Sequence, residues 1–206
     1  MELRPIRLPG RESRLSEKPF TRFADLIEPL TQGILPLLDK PFAFYGHSMG
    51  SLVAFEVARR LRRLGLAGER GPRHLLVSGC RAPHLPDPEP AVGHLSDAEF
   101  ISNLRRLNGT PQAVFDNPEI LELLLPCIRA DFQAVESYSF QEDSPLAIAI
   151  TAFAGSEDGK ADEPLMEPWS QHTTGNFALH MLPGDHFFIH SQQAQFLGKL
   201  SAALVG

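Results

Sequence analysis

Cysteine is nearly absent from this chain, with two in 206 residues, Cys80 and Cys127. They stand in unrelated apolar contexts with no CxxC or Cys/His spacing, which excludes a disulfide framework and a zinc site. No run approaches the roughly 18 consecutive apolar residues that cross a bilayer. The N-terminus carries arginines but no apolar stretch like that of a secretory leader, so a soluble, cytoplasmic protein without membrane contact is expected. Positive charge is not in excess either. Nineteen Lys and Arg against 25 Asp and Glu leave a formal net charge of -6, which argues against nucleic acid as the main partner. Heptads and exposed strand signals are lacking, so a monomer is expected.

What is present is ordinary for a globular chain: 43% hydrophobic and 21% charged residues, enough for one good core. Short apolar runs alternate with longer amphipathic stretches, the rhythm of an α/β protein with a mostly parallel, doubly wound sheet. Candidate strands are Glu2 to Leu8 (an edge position, given Pro5), Phe42 to Tyr45, His74 to Ser78, Leu146 to Phe153 and Asn176 to Leu182. Helical spacing predicts helices over Thr21 to Asp39, kinked or split by Pro29 and Pro36, over Ser51 to Leu64, and from about Ile189 to Leu204. Between residues of about 84 and 143 the rhythm changes. Ser96-Asp97-Ala98-Glu99 is a capping box, and Asn117-Pro118 supplies a cap and a first-turn proline for a helix over Ile120 to Tyr138. This stretch is longer than a single crossover needs. It is read as a helical lid inserted in one domain spanning residues 1–206.

Gly46-His47-Ser48-Met49-Gly50 matches G-x-S-x-G. The pentapeptide alone is weak, but here a short apolar strand ends directly before Gly46 and an amphipathic helix begins directly after Ser48. That strand–turn–helix context presents a nucleophilic serine at a sheet edge, with glycines admitting the tight turn. Serine needs a base. Of eight histidines, His186 lies in Pro183-Gly184-Asp185-His186-Phe187-Phe188, between the last strand and the last helix. In a doubly wound sheet that loop emerges at the same carboxyl edge as the serine turn. His47 is expected to point away from Ser48 in a supporting role. An acid to orient His186 should follow the preceding strand, where Gly155-Ser156-Glu157-Asp158 lies. Asp158 is the first candidate, with Glu157 and Asp162 as competitors, while Asp185 faces the wrong way to orient its neighbour.

With these motifs in view, the chain resembles the type II thioesterases, stand-alone α/β-hydrolases that serve polyketide synthases and nonribosomal peptide synthetases. The resemblance is carried by Phe44 to Gly50 with Leu52-Val53-Ala54-Phe55-Glu56, by Leu8-Pro9-Gly10-Arg11-Glu12, and by Gly184-Asp185-His186-Phe187-Phe188. Leu107-Asn108-Gly109-Thr110-Pro111, Leu124-Leu125-Pro126 and Arg129-Ala130-Asp131-Phe132 extend it through the insertion. It implies an α/β-hydrolase fold and hydrolysis of acyl thioesters on the phosphopantetheine arm of an acyl or peptidyl carrier protein. Ser48, Asp158 and His186 match the family's nucleophile, acid and base. Met49 matches the residue whose backbone N–H is one oxyanion donor. No metal or redox cofactor is implied.

One departure stands out. The family carries an upstream strand and a His/Gly-rich loop that gives the second oxyanion donor, whereas residues 1–40 here contain only Gly10 and Gly33. The expectation is a chain of about five-sixths the family's length, begun too far downstream. Two other readings stay open: a small-molecule carboxylesterase on the same scaffold, and a catalytically impaired carrier-binding remnant. The arginines at 59, 60, 62, 63, 70 and 73 are read as a solvated helix face in preference to a docking face. Most phenylalanines are read as core, with Phe187 and Phe188 as candidate walls of an acyl pocket.

Overall fold

The computed structural model describes residues 2–107 and 112–205. The Asn108-Gly109-Thr110-Pro111 part of the resemblance lies outside the described residues. Along the chain run α1 (Phe23–Ile34), β1 (Phe44–His47), α2 (Met49–Arg63), β2 (His74–Ser78), α3 (Asp97–Leu107), α4 (Gln112–Phe115), α5 (Pro118–Glu136), β3 (Ala149–Gly155), α6 (Glu163–Met166), β4 (Phe177–Leu182), α7 (Phe188–Ser191) and α8 (Gln193–Val205). Two compact units form: Met1–Leu26 with Glu89–Tyr138, and Ile27–Pro88 with Ser139–Gly206.

The second unit holds a four-stranded parallel sheet in the order β1-β2-β3-β4. Side chains alternate across it, as period 2 demands. Leu75, Val77, Ile150, Ala152 and Ala154 face one cluster with Ala54, Phe55 and Ala58 of α2 and with Met166 and Trp169. Leu76, Phe153 and Leu182 face the other, with Phe188 and with Phe196 of α8. Both faces are therefore covered, and β2 and β3 read as continuous apolar runs for that reason. Each fully buried Leu, Ile or Phe here contributes about 1.5–3 kcal/mol relative to exposure. Phe188 is part of this core and not a wall of a substrate pocket. The Trp169 indole N–H also finds its partner, donating to the Cys80 carbonyl at 2.8 Å.

The first unit is helical. Phe100, Leu104, Phe115 and Val92 form its core. The capping box closes as the sequence predicts: the Ser96 N–H donates to Glu99 Oε2 (3.1 Å) and the Glu99 N–H to Ser96 Oγ (3.4 Å). Asn117 accepts from the N–H groups of Glu119 and Ile120 at the start of α5. Arg11 grips Asp131 of α5 with two hydrogen bonds, 2.7 and 3.1 Å, so two distant stretches of the resemblance meet within this unit.

Several boundaries differ from the sequence-based ones. Residues 2–8 form no strand; Pro5 removes a ladder donor within this short run. Pro29 sits inside an uninterrupted α1, and only Pro36 changes the path, into a 3-10 turn at Leu35–Leu37. Leu146 contributes an isolated bridge to Thr173 before β3 begins at Ala149. The last helix is broken into α7 and α8.

Of the arginines after Ser48, Arg63, Arg70 and Arg73 are exposed as a solvated face would have them, but Arg59 is not. Arg59 is buried; it donates to Glu56 Oε1 (2.6 Å) and to the Gln141 carbonyl, with its guanidinium over the rings of Phe55 and Phe140. Arg62 and Arg63 pair with Asp143 at 2.8 Å each, and Arg60 pairs with Glu28 at 2.7 Å. Arg59, Arg62 and Arg63 thereby hold residues 141–145 against α2. The Arg63 hydrogen bond, with the Ser144 N–H and the charge of Arg62, holds the Asp143 carboxyl down to about 2.

Candidate active site

Ser48 occupies the turn between β1 and α2, with φ 53 and ψ -123. This left-handed region costs a non-glycine residue of order 1–3 kcal/mol, and such strain persists only where the surroundings over-determine it. Here they do. The Ser48 N–H donates to the Ser78 carbonyl at 2.8 Å, and its own carbonyl accepts from the Ser51 N–H at 2.9 Å. The buried Ser51 hydroxyl bonds the carbonyls of Gly46 (2.9 Å) and Ser78 (3.0 Å), tying the turn to the end of β2. Gly46 has to be glycine, since a Cβ there would lie 2.0 Å from the Gly50 carbonyl oxygen. Gly50 does not, because a Cβ at that position meets nothing within 4 Å. The second glycine of the motif is thus not required by the turn's packing, a correction to the sequence argument. Met49 is the first residue of α2, and an N–H at that position has no intrahelical acceptor.

Asp158 and His186 meet at the carboxyl ends of β3 and β4. The loops that carry them are laced together by backbone bonds: the Ser156 N–H to the Leu182 carbonyl (2.8 Å) and the Glu157 N–H to the Gly184 carbonyl (2.9 Å). Gly155 makes this close approach possible, because a Cβ there would stand 2.3 Å from the Asp185 carbonyl oxygen. His186 Nδ1 lies 2.7 Å from Asp158 Oδ2. The other carboxylate oxygen, Oδ1, accepts the Lys160 N–H at 3.0 Å, so the acid is held at both ends. Its side chain is 3% exposed against 22% for the imidazole, leaving the ring as the accessible end of the pair. No hydrogen bond among the described residues joins Ser48 to His186. Serine–imidazole bonds in unliganded sites are often long and tighten only with substrate bound.

The competing acids are otherwise engaged. Asp162 caps α6 by accepting the Leu165 N–H (3.1 Å), and Asp185 accepts the Phe187 N–H (2.9 Å). Glu157 is exposed. Other histidines pair without a carboxylate: His74 with Thr151 (2.8 Å), His84 with His172 (2.8 Å), and His47 with Ser78 (2.6 Å). Burial, with His84 and Arg59 nearby, pushes His172 down to about 4. Sequence reasoning missed Ser78, which ends β2 beside the serine turn, and Gly79, which follows it. Gly79 adopts φ +57 and lies under both His47 and His186. The one signal for them was their small size directly after a buried strand.

Among the described residues no group of three or more His, Cys, Asp or Glu side chains is placed to hold a metal ion, and no helix is long and apolar enough to cross a membrane. Burial pushes the Cys80 thiol up to about 12, which makes it a poor nucleophile.

Comparison with known proteins adds a family. The family model "Thioesterase domain" matches residues 1–204. A relative from Brevibacillus parabrevis is 48% identical over 204 residues, covering 97% of this chain and 76% of its own length. It bears the name linear gramicidin dehydrogenase LgrE, so its name denotes a different chemistry from the family model's. Solved structures agree with the family model. The RedJ thioesterase of the prodiginine pathway in Streptomyces coelicolor superposes with a TM-score of 0.84 at 37% identity, covering 95% of this chain and 74% of that one. YbtT, a type II thioesterase of the yersiniabactin nonribosomal peptide/polyketide pathway, superposes at 0.82 with 32% identity, covering 94% and 78%. The sheet with its flanking helices is that of the α/β-hydrolase thioesterases.

Proposed function

Because the chain belongs to the type II thioesterase family, we propose that it frees acyl groups held as thioesters on the phosphopantetheine arm of a carrier protein. Ser48 is the nucleophile, His186 the base and Asp158 the orienting acid. The observation that carries this reading is the buried Asp158 carboxylate 2.7 Å from His186 Nδ1, at the same sheet edge as a serine held at φ 53. Chance seldom gathers a strained serine and a carboxylate-held imidazole at the carboxyl edge of one parallel sheet.

In this mechanism Ser48 Oγ bonds to the thioester carbonyl carbon while its proton passes to His186 Nε2. The Met49 N–H donates to the oxyanion. The C–S bond then breaks, and the pantetheine thiolate takes the proton from His186. A water gives its proton to His186 as its oxygen attacks the acyl carbon. The ester C–O bond breaks, Ser48 regains its proton, and the free acid leaves. Asp158 fixes the tautomer that leaves Nε2 unprotonated and stabilises the imidazolium at each stage. Every step moves only protons and acyl groups, so the chemistry calls for no metal or redox cofactor.

The proposed partner is an acyl or peptidyl carrier protein of a polyketide or nonribosomal peptide synthase, met in the cytoplasm by a monomer. The helical segment between β2 and β3 is assigned as the lid. Acyl-enzyme trapping tests the chemistry: after brief incubation with an acyl-pantetheine thioester, intact mass should rise by one acyl group, mapped to the Ser48 peptide. Turnover with no adduct on Ser48, and no labelling of it by a fluorophosphonate, would overturn the assignment.

A further inference from the structure

His47 lies beside the proposed base yet takes no part in the proton transfers. Its Nδ1 is 2.6 Å from Ser78 Oγ, which in turn is 3.2 Å from the Tyr45 hydroxyl. Its Nε2 is sealed from solvent and has no hydrogen-bond partner among the described residues. A buried polar atom left in that state is destabilising. An apolar ring would spare that loss but give up the bond to Ser78, so stability alone does not supply a reason for an imidazole here.

Geometry gives one. The His47 ring stands 4.8 Å, centroid to centroid, from the His186 ring, tilted by 48°. Phe187 meets His186 edge-on at 5.0 Å. Gly79 lies under both imidazoles, and a Cβ there would come within 2.7 Å of His47 Cε1 and 3.2 Å of His186 Cε1. A single hydrogen bond to Asp158 fixes one nitrogen of the base but leaves its ring plane free to swing about that bond. Packing against a second, anchored ring removes that freedom. His47 is also the residue before Ser48, and its Cα pairs with Ser78 across β1 and β2. The element that aims the nucleophile therefore also carries the ring that abuts the base.

We propose that His47 is a positioning residue: anchored through Nδ1 to Ser78, its ring sets the plane of the His186 imidazole relative to Ser48. This inference rests on the triad proposed above. A second property suits the role. Burial, aided by His186 and His190 and opposed by Asp158, pushes His47 down to about 3. It stays neutral while His186 takes up its proton, and adds no competing charge.

The test is steady-state hydrolysis of an acyl-pantetheine thioester by wild type, His47→Ala, His47→Gln, Ser78→Ala and Ser48→Ala, with a thermal melt of each. Positioning requires His47→Ala to lower kcat about tenfold or more with KM within about twofold. Ser78→Ala should give a smaller fall of the same kind. His47→Gln, whose planar amide can still bond Ser78 and abut the His186 ring, should recover part of kcat. The inference is overturned if Ser78→Ala and His47→Gln both keep wild-type kcat while His47→Ala loses only melting temperature. It is equally overturned if Gln is no better than Ala. Should His47→Ala fail to fold, the Gln and Ser78 variants decide alone: a fall in kcat at unchanged KM for Ser78→Ala supports positioning, and none refutes it. Ser48→Ala separates the two levels. If it is inactive while the His47 series is flat, only the positioning role falls; if it is active, the triad and this inference fall together.

Discussion

His186 and Asp158 are joined at 2.7 Å, and the carboxylate is the buried partner while the imidazole is the exposed one. Asymmetric burial of this kind orients a base without blocking it. Replacing Asp158 with Asn keeps the shape but donates a hydrogen where the ring must donate one, and so favours the wrong tautomer. Asp158→Asn should lower kcat by about a thousandfold or more with KM changed little, measured by thioester hydrolysis at pH 7. A loss under tenfold would place the orienting acid elsewhere.

The two glycines of the serine turn should part company. A Cβ on Gly46 meets the Gly50 carbonyl at 2.0 Å, whereas one on Gly50 meets open space. Gly46→Ala should be insoluble or unfolded. Gly50→Ala should fold with stability equal to or up to about 1 kcal/mol above wild type, since helical glycine is unfavourable relative to alanine. Urea titration followed by circular dichroism distinguishes them.

Buried neutral histidines make the fold acid-sensitive. His47 and His172 fall to about 3 and about 4 in the folded chain, below the ordinary 6.5. Between 6.5 and those values the unfolded state binds more protons than the folded one, so stability falls as pH falls. Above 6.5 both states hold the rings neutral and the effect vanishes. Unfolding free energies from urea titration should be flat from pH 7 to 8 in this respect and drop from pH 6.5 toward 4, by up to about 1.4 kcal/mol per pH unit for each group. His172→Gln should make the drop shallower, and an unchanged slope would contradict the cause given.

Arginines on one helix should differ in weight. Arg59 is 2% exposed, with Glu56 and the Gln141 carbonyl as partners, while Arg60 and Glu28 are 35% and 50% exposed. Arg59→Met should destabilise by about 3 kcal/mol, since it removes a buried guanidinium bonded to Glu56 and to the Gln141 carbonyl. Arg60→Ala should cost under about 1 kcal/mol. Equal losses in urea would contradict the structural role assigned to Arg59.

Local signals made the sheet unit readable. His74 to Ser78 is a strand over the predicted residues because burial on both faces leaves an unbroken apolar run. The juxtaposition of Asp158 and His186 followed from chain order, since successive parallel strands deliver their loops to one edge. Other features had no local trace. Arg59 reads as a surface residue until the 141–145 segment is placed over it, and Gly79 reads as a loop residue until two imidazoles are found above it. Such long-range contacts are set by tertiary packing, which periodicity does not report. The Glu2 to Leu8 strand failed for a related reason: β-propensity without a partner strand makes no ladder.

The most direct measurement is release of free acid and carrier thiol from an acyl-loaded carrier protein by the wild-type chain beside Ser48→Ala. Release by wild type, with a fall of about a thousandfold or more in Ser48→Ala, is the expected result. Release that persists undiminished in folded Ser48→Ala would contradict the assignment of Ser48 as the nucleophile.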